Sequence, residues 1–519
     1  MARSFKNTGL LLALMIGVNV AWAQPERIDT AVFRQIRKAE INSSQIPAMA
    51  HELTDVCGSR LTNSPGFLRA GRWAAKTMKG WGLVNVRLEP WGNYGRGWTS
   101  EQFSIATIKP YHQAIIGYAV PWTANTHGEL RGRVLVMPGE KLYDRSWIAG
   151  HAGEFKHKII LLDNGRPSIG NDFQPFASRL SDSDLAKLPD TYLVTRKMVL
   201  DLIDTIKLQD AACRRLKDLG ALAILTGNGR DGTVDVEANS GFRPGTSQAL
   251  PQAVISAVDQ LKIERLIKSG HPVELALTIR GKFYDGDLKG YNVVAEIPGT
   301  DPSLKTQLVM LGGHLDSWPA ATGATDNAAG CAVMMEAVRL LKALDLHPKR
   351  TIRIVLWSAE EEGLLGSYAY VKNHFGNAET GDIKPAQADV SAYFNLDYGS
   401  GRIRGVWGQG NTAVKPIFEQ WLKPFADLGA NTVTLSNAGS TDHISFDWAG
   451  IPAFEFIQDP LDYESRTHHT NMDTYDYLQM DDLKQSAIIV ASFVYQAATR
   501  PDLLPRKPLE KTKFAFDGL

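Results

Sequence analysis

The sequence predicts an α/β protein, a three-layer sandwich around a mostly parallel central sheet, interrupted by a β-rich insertion. Three observations predict it. From Tyr291 onward, apolar runs alternate between strand-like and helix-like patterning, as expected for helices crossing over a parallel sheet. Between residues 126 and 275 the texture changes to short β-like runs separated by Gly, Asp and Pro turns. The chain has 519 residues, 44% of them hydrophobic and 22% charged, enough to bury cores for two or three structural units.

Taken in order, Arg3 and Lys6 precede the apolar run Leu10 to Val20 and the small-x-small triplet Ala21-Trp22-Ala23. That is the layout of a cleaved export signal, residues 1–23, with the mature chain starting at Gln24. The run is shorter than the roughly 20 residues that span a bilayer, so no stable membrane insertion is expected. Arg34 to Leu53 reads as a polar helix. Ser64-Pro65 opens an amphipathic one through Phe67, Ala70, Ala74 and Met78, with Gly80 just past its end. Trp81 to Glu89 reads as a strand. Within the insertion, Val134 to Val136, Ile159 to Leu162 and Ala221 to Leu225 read as strands, and Asp210 to Leu219 is the clearest helix.

Beyond it come the strands Leu308 to Leu311, Ile352 to Trp357, Tyr393 to Leu396 and Ile451 to Ile457. Val333, Ala337, Leu340, Leu341 and Leu344 mark one helix face, and Leu483 to Tyr495 forms the last helix.

Fifty-six basic residues balance 56 acidic ones, which argues against a nucleic-acid partner. Only Cys57, Cys213 and Cys331 are present, so at most one disulfide can form and a cysteine-built metal site is excluded. Gly227-Asn-Gly-Arg-Asp-Gly232 fits G-x-G-x-x-G, but Thr-Val-Asp-Val-Glu follows it instead of the helix a dinucleotide requires. His51-Glu52 lacks the second histidine of H-E-x-x-H, and no complete G-x-S-x-G elbow occurs.

The chemistry-bearing residues gather at the carboxyl ends of the predicted strands, where α/β sheets place their sites. His314 follows the first strand, Glu360, Glu361 and Glu362 the second, and Asp397 the third; His469 lies in the loop after the fourth, and Asp326 opens a helix. Carboxylates brought that close repel one another unless protonated or metal-bound. Two histidines and three carboxylates suit two zinc ions that share one carboxylate. Glu362 reads as a solvated neighbour, His468 as facing elsewhere along an extended loop, and Asp442-His443 as either a cleft lining or a turn.

In order along the chain stand Gly-Gly-His-Leu-Asp-Ser, Gly-Ala-Thr-Asp-Asn-Ala-Ala-Gly, Ser-Ala-Glu-Glu-Glu-Gly-Leu-Leu-Gly-Ser, Asn-Leu-Asp and His-Thr-Asn-Met-Asp-Thr. Together they resemble the motifs of the co-catalytic zinc aminopeptidases and glutamate carboxypeptidases, strongly over Tyr291 to Arg500. Within that family the wording around His314 and Lys349-Arg350 is most similar to the plasma glutamate carboxypeptidase-like members.

The resemblance implies two zinc ions, one on His314 and Asp397, the other on Glu361 and His469, with Asp326 bridging. It implies Glu360 as general base toward a water activated between the metals, and Asp316 as the carboxylate behind His314. It also implies a cis Asp326–Asn327 peptide, although many relatives carry Asp-Asp or Asp-Gly there. The domains follow: residues 24–125 as the N-terminal part of the peptidase unit, 126–275 as a protease-associated-like insertion, and 276–519 as the catalytic zinc unit. The implied activity is hydrolysis of the terminal bond of short peptides in a secreted or periplasmic setting, at the amino end first, with a carboxypeptidase or dipeptidase as the alternative. A catalytically inactive receptor-like module ranks lower, since a dead relative is expected to lose ligands. The residues leave open the side-chain preference and the oligomeric state, a homodimer included.

Overall fold

The computed structural model describes residues 26–508, apart from 166–174, 192–195, 229–231, 239, 245, 247–248 and 378–379. The expected export signal and its cleavage point lie outside the described residues.

The central sheet has eight strands: β1 Val84–Asn93, β2 Lys289–Ile297, β3 Leu308–His314, β4 Thr351–Trp357, β5 Val390–Asn395, β6 Ile403–Trp407, β7 Thr432–Thr434 and β8 Ala453–Gln458. Their spatial order is β1-β2-β4-β3-β5-β8-β6-β7. The middle four, β4, β3, β5 and β8, run parallel. β1 and β2 add antiparallel on one side and β6 on the other. The middle strands are buried on both faces, which explains their nearly unbroken apolar sequences.

Helices cover both faces. On one, α1 Thr30–Ser43, α2 Pro65–Gly80, α3 Ala329–Ala343 and α5 Met480–Thr499 share a single core with the sheet. On the other, α4 Leu365–His374 and the short helix His443–Trp448 bury Tyr370, Val371 and Phe446 against Trp357 and Tyr393. α2 starts as read, with the Ser64 side chain accepting from the Phe67 N–H and Pro65 in the first turn. Its end differs. The helix runs through Gly80, and the glycine in the left-handed conformation is Gly82 (φ +83°).

A second eight-stranded sheet is built from strands lying between Gly97 and Tyr284, on both sides of the 126–275 segment. Gly97–Lys109 pairs antiparallel with Glu274–Tyr284, and these strands follow and precede the β1/β2 pair in the chain. The second sheet therefore interrupts the first between two neighbouring strands. Its middle strands, Leu130–Pro138, Lys158–Asp163, Ala223–Asn228 and Gln252–Ser256, are parallel. The helix expected at Asp210 to Leu219 is longer, Arg196–Asp218. Its earlier part carries apolar residues at helical spacing in the sequence, Met198, Val199, Leu202, Ile203 and Ile206, a signal the reading did not use. The core of this sheet includes Trp318 and Ala359, which belong to the loops leaving β3 and β4. All three cysteines are buried free thiols.

Candidate metal centre

Each candidate ligand stands where its strand ends. His314 is the last residue of β3, Glu360 and Glu361 follow β4, and Asp397 lies two residues past β5. Asp326 sits in the tight turn Ala324–Ala328 that opens α3, and the Asp326–Asn327 peptide is cis. Close packing seats that turn against β5: a Cβ on Gly330 would fall 2.2 Å from the Leu396 carbonyl oxygen, so only glycine fits. The loop carrying Glu360 and Glu361 is bracketed by Ala359 (φ +54°) and Leu364 (φ +61°), and His469 itself has φ +59°. Left-handed non-glycine residues cost of order 1 kcal/mol or more each and persist where the surroundings over-determine them.

The structure brings the five side chains together. His314 Nε2 lies 3.0 Å from Asp326 Oδ1 and 3.1 Å from Asp397 Oδ1. His469 Nε2 lies 3.1 Å from Glu361 Oε2 and 3.3 Å from Asp326 Oδ2. Two imidazoles thus face opposite oxygens of one carboxylate that is only 4% exposed. Glu360 joins the first group, its carboxylate within 4.8 Å of the ligand atoms of His314 and Asp397.

A further layer fixes these groups. His314 Nδ1 faces the backbone carbonyl of Asp316 at 3.1 Å, leaving Nε2 to the site. The Asp316 carboxylate is farther from that nitrogen, at 3.7 Å, and accepts from the backbone N–H groups of Glu360 and Glu361. It therefore holds the glutamate loop as well as standing behind the histidine. The Thr441 hydroxyl donates to Asp397 Oδ2 at 2.6 Å, and the Asp397 N–H donates to Glu455. Asp473 accepts from the N–H of Thr325, the Thr325 hydroxyl and the N–H of Asp326. His469 Nδ1 meets Glu237 Oε1 at 2.5 Å, and Glu237 comes from the second-sheet segment.

Electrostatically the site calls for cations. Burial pushes the Glu361 carboxyl up to about 8, reinforced by Asp326, and raises Glu360 well above the carboxylate range. Burial disfavours the charged forms of His314 and His469 too, yet the carboxylates around them, Asp397 for one and Glu361 for the other, raise both well above an ordinary imidazole. Asp326 stays well below its usual range despite its burial, because both histidines stabilise its charge. Its Oδ2 makes no hydrogen bond although it is buried. An acceptor left unpaired between two imidazoles and two further carboxylates is what a divalent cation satisfies, and nitrogen and carboxylate donors without thiolates suit zinc.

Against this geometry stand the comparisons with known proteins. The family model described as Peptidase family M28 matches residues 292–494. Carboxypeptidase Q of Bos taurus is 31% identical over 466 residues, an alignment covering 88% of this chain and 85% of the bovine protein. The chain belongs to peptidase family M28. Aminopeptidase YwaD of Bacillus subtilis is 31% identical over 232 residues, 41% of this chain and 46% of that protein. The crystal structure of a peptidase M28 precursor from Shewanella amazonensis superposes with a TM-score of 0.68 at 24% identity, covering 92% of this chain and 98% of the other, which shows the shared fold. As an M28 family member the chain is a metallo-exopeptidase.

Several readings of individual residues change. Glu362 is not a solvated neighbour: it is 9% exposed, and burial beside Asp316 raises it well above the carboxylate range, against the hydroxyls of Thr62 and Tyr94 that lower it. His468 does not face elsewhere. Residues Tyr463–Thr467 form a tight turn rather than an extended run, so its ring lies 3.8 Å from that of His469 and its Nε2 3.8 Å from Asp326 Oδ2. Asp442 and His443 are fully buried at the start of a short helix, and burial pushes Asp442 up to about 8 and His443 down to about 4. The residues missed outright are Thr441, Glu455, Asp473 and Glu237. Asp473 lay inside a quoted motif, and Val234-Asp235-Val236-Glu237 carries a period-two alternation that marks an extended segment.

Proposed function

We propose that this M28 peptidase holds two zinc ions, one on His314 and Asp397 and the other on Glu361 and His469, with Asp326 shared, and removes the terminal residue of short peptides from the amino end. The observation that carries the reading is the pair of imidazoles aimed at opposite oxygens of Asp326. When bound, zinc supplies Lewis-acid polarisation of the scissile carbonyl and acidifies water.

The chain supplies the rest. Glu360, beside His314 and Asp397, takes the proton of the attacking water and returns it to the leaving amine. Asp316 keeps Glu360 and Glu361 in place through their N–H groups. Asp397 is held by Thr441 and Glu455, and Asp326 by Asp473, so the carboxylates are positioned before a substrate arrives. For the amino end speak the carboxylates of Asp235 and Glu464 beside His469 and His468, which would meet an ammonium favourably. The carboxy-terminal reading keeps its support from the similarity to bovine carboxypeptidase Q across most of the chain.

A panel of aminoacyl chromogenic substrates and amino-blocked dipeptides separates the two. Cleavage confined to free-amine substrates is the expected result, and turnover of blocked dipeptides would shift the assignment to the carboxyl end. Export after removal of residues 1–23 forms part of the proposal. Among the described residues no helix is long and apolar enough to cross a membrane. Intact-mass analysis of the protein from the producing cell should place the new terminus at Gln24.

A further inference from the structure

The segment 233–237 leaves the second sheet after the strand Ala223–Asn228 and runs alongside the loop that carries His469. Backbone contacts fix the two in register. The Val236 N–H donates to the His469 carbonyl at 3.1 Å, Asp235 and Thr470 form an antiparallel bridge, and Val234 exchanges bonds with Asn471, donating to its Oδ1 at 2.7 Å and accepting from its N–H at 3.1 Å. Side chains alternate along such a segment. Val234 and Val236 are fully buried in a small apolar cluster with Val254 and Ala320, while Asp235 and Glu237 face the other way, toward the histidine.

An isolated exposed carboxylate beside a histidine is worth little. Here the pairing is pre-set. His469 is in the left-handed conformation, its carbonyl accepts from the Val236 N–H, and its Nδ1 meets Glu237 Oε1 at 2.5 Å. A carboxylate that accepts from Nδ1 fixes the tautomer, aims Nε2 into the site and makes that nitrogen a better donor to a metal. His314 obtains the same service from a backbone carbonyl next to it in sequence.

We infer that Glu237 is a positioning residue for His469, so that the interrupting second-sheet segment completes one half of the metal centre. This rests on the two-zinc reading. It assigns to the segment a direct part in metal affinity at the Glu361 and His469 position, and none at the His314 and Asp397 position.

The test is zinc titration against a competing chromophoric chelator, on the full mature chain of the wild type, Glu237→Ala and Glu237→Gln, with melting temperatures of the metal-free forms recorded alongside. Wild type should bind two zinc ions; failure to do so would overturn the zinc reading itself, whatever the variants do. Given two sites, Glu237→Ala should weaken one of them by about 10- to 100-fold and leave the other unchanged. Glu237→Gln, which keeps an acceptor for Nδ1–H but not its charge, should fall between the two. Unchanged affinities, an equal loss at both sites, or a lowered melting temperature with both affinities intact would each overturn the role of Glu237 and leave the two-zinc reading standing.

Discussion

The two sides of the metal centre are built differently. On the His314 side every support comes from the central sheet and its own loops: His314 is 1% exposed, its Nδ1 meets the carbonyl two residues on, and Asp397 is held by Thr441 and Glu455. On the other side the His469 side chain is 18% exposed, its backbone is left-handed, and its ring is held by Glu237 from the interrupting segment. One half is fixed by a buried parallel sheet, whereas the other is assembled across two parts of the fold that meet only when both are folded. Chelation, heating or mutation should therefore affect the second half first.

The largest effect expected is from Asp326→Ala, which removes the carboxylate common to both halves. Elemental analysis after dialysis should show both ions lost, with an activity loss on the order of 10³-fold or more from several kcal/mol of missing charge stabilisation. Retention of one ion at full occupancy would show that the halves are independent. Glu360→Gln should reduce kcat by about 10²- to 10⁴-fold while two zinc ions stay bound, since it removes a proton carrier and no ligand; near-normal turnover would remove Glu360 from that role. Thr441→Val is the counterpart of the Glu237 variants on the buried side. Loss of the hydroxyl that donates to Asp397 should weaken only the His314 site, by roughly tenfold or more in a chelator titration. His468→Ala should change neither affinity by more than about twofold, since His468 Nε2 stands 3.8 Å from Asp326 Oδ2, farther than the 3.3 Å of His469 Nε2; a larger loss at the His469 site would make His468 part of the second half.

How much of this is legible in the sequence follows the same division. β3, β4, β5 and β8 are apolar runs buried on both faces, and residues at their carboxyl ends can be named as site candidates without a structure. The ligand positions carry the further signal of ordered motifs. Thr441 and Asp473 are less visible, because a hydroxyl or carboxylate that serves through one hydrogen bond leaves no periodic pattern. Glu237 is hidden for another reason. It lies 232 positions from His469, and its segment, which is not a helix, makes a single β-bridge with the His469 loop, although its alternation suits an extended run. Glu362 shows the limit of reading local polarity: three consecutive glutamates suggest a solvated turn, yet the third is buried in a loop bracketed by the left-handed Ala359 and Leu364.

The central claim is that five side chains share a pair of cations around Asp326. It is tested most directly by anomalous diffraction at the zinc edge from crystals of the purified, metal-replete protein. Two peaks should stand on either side of the Asp326 carboxylate, one between His314 and Asp397 and one between Glu361 and His469. A single peak, or peaks away from Asp326, would contradict the account.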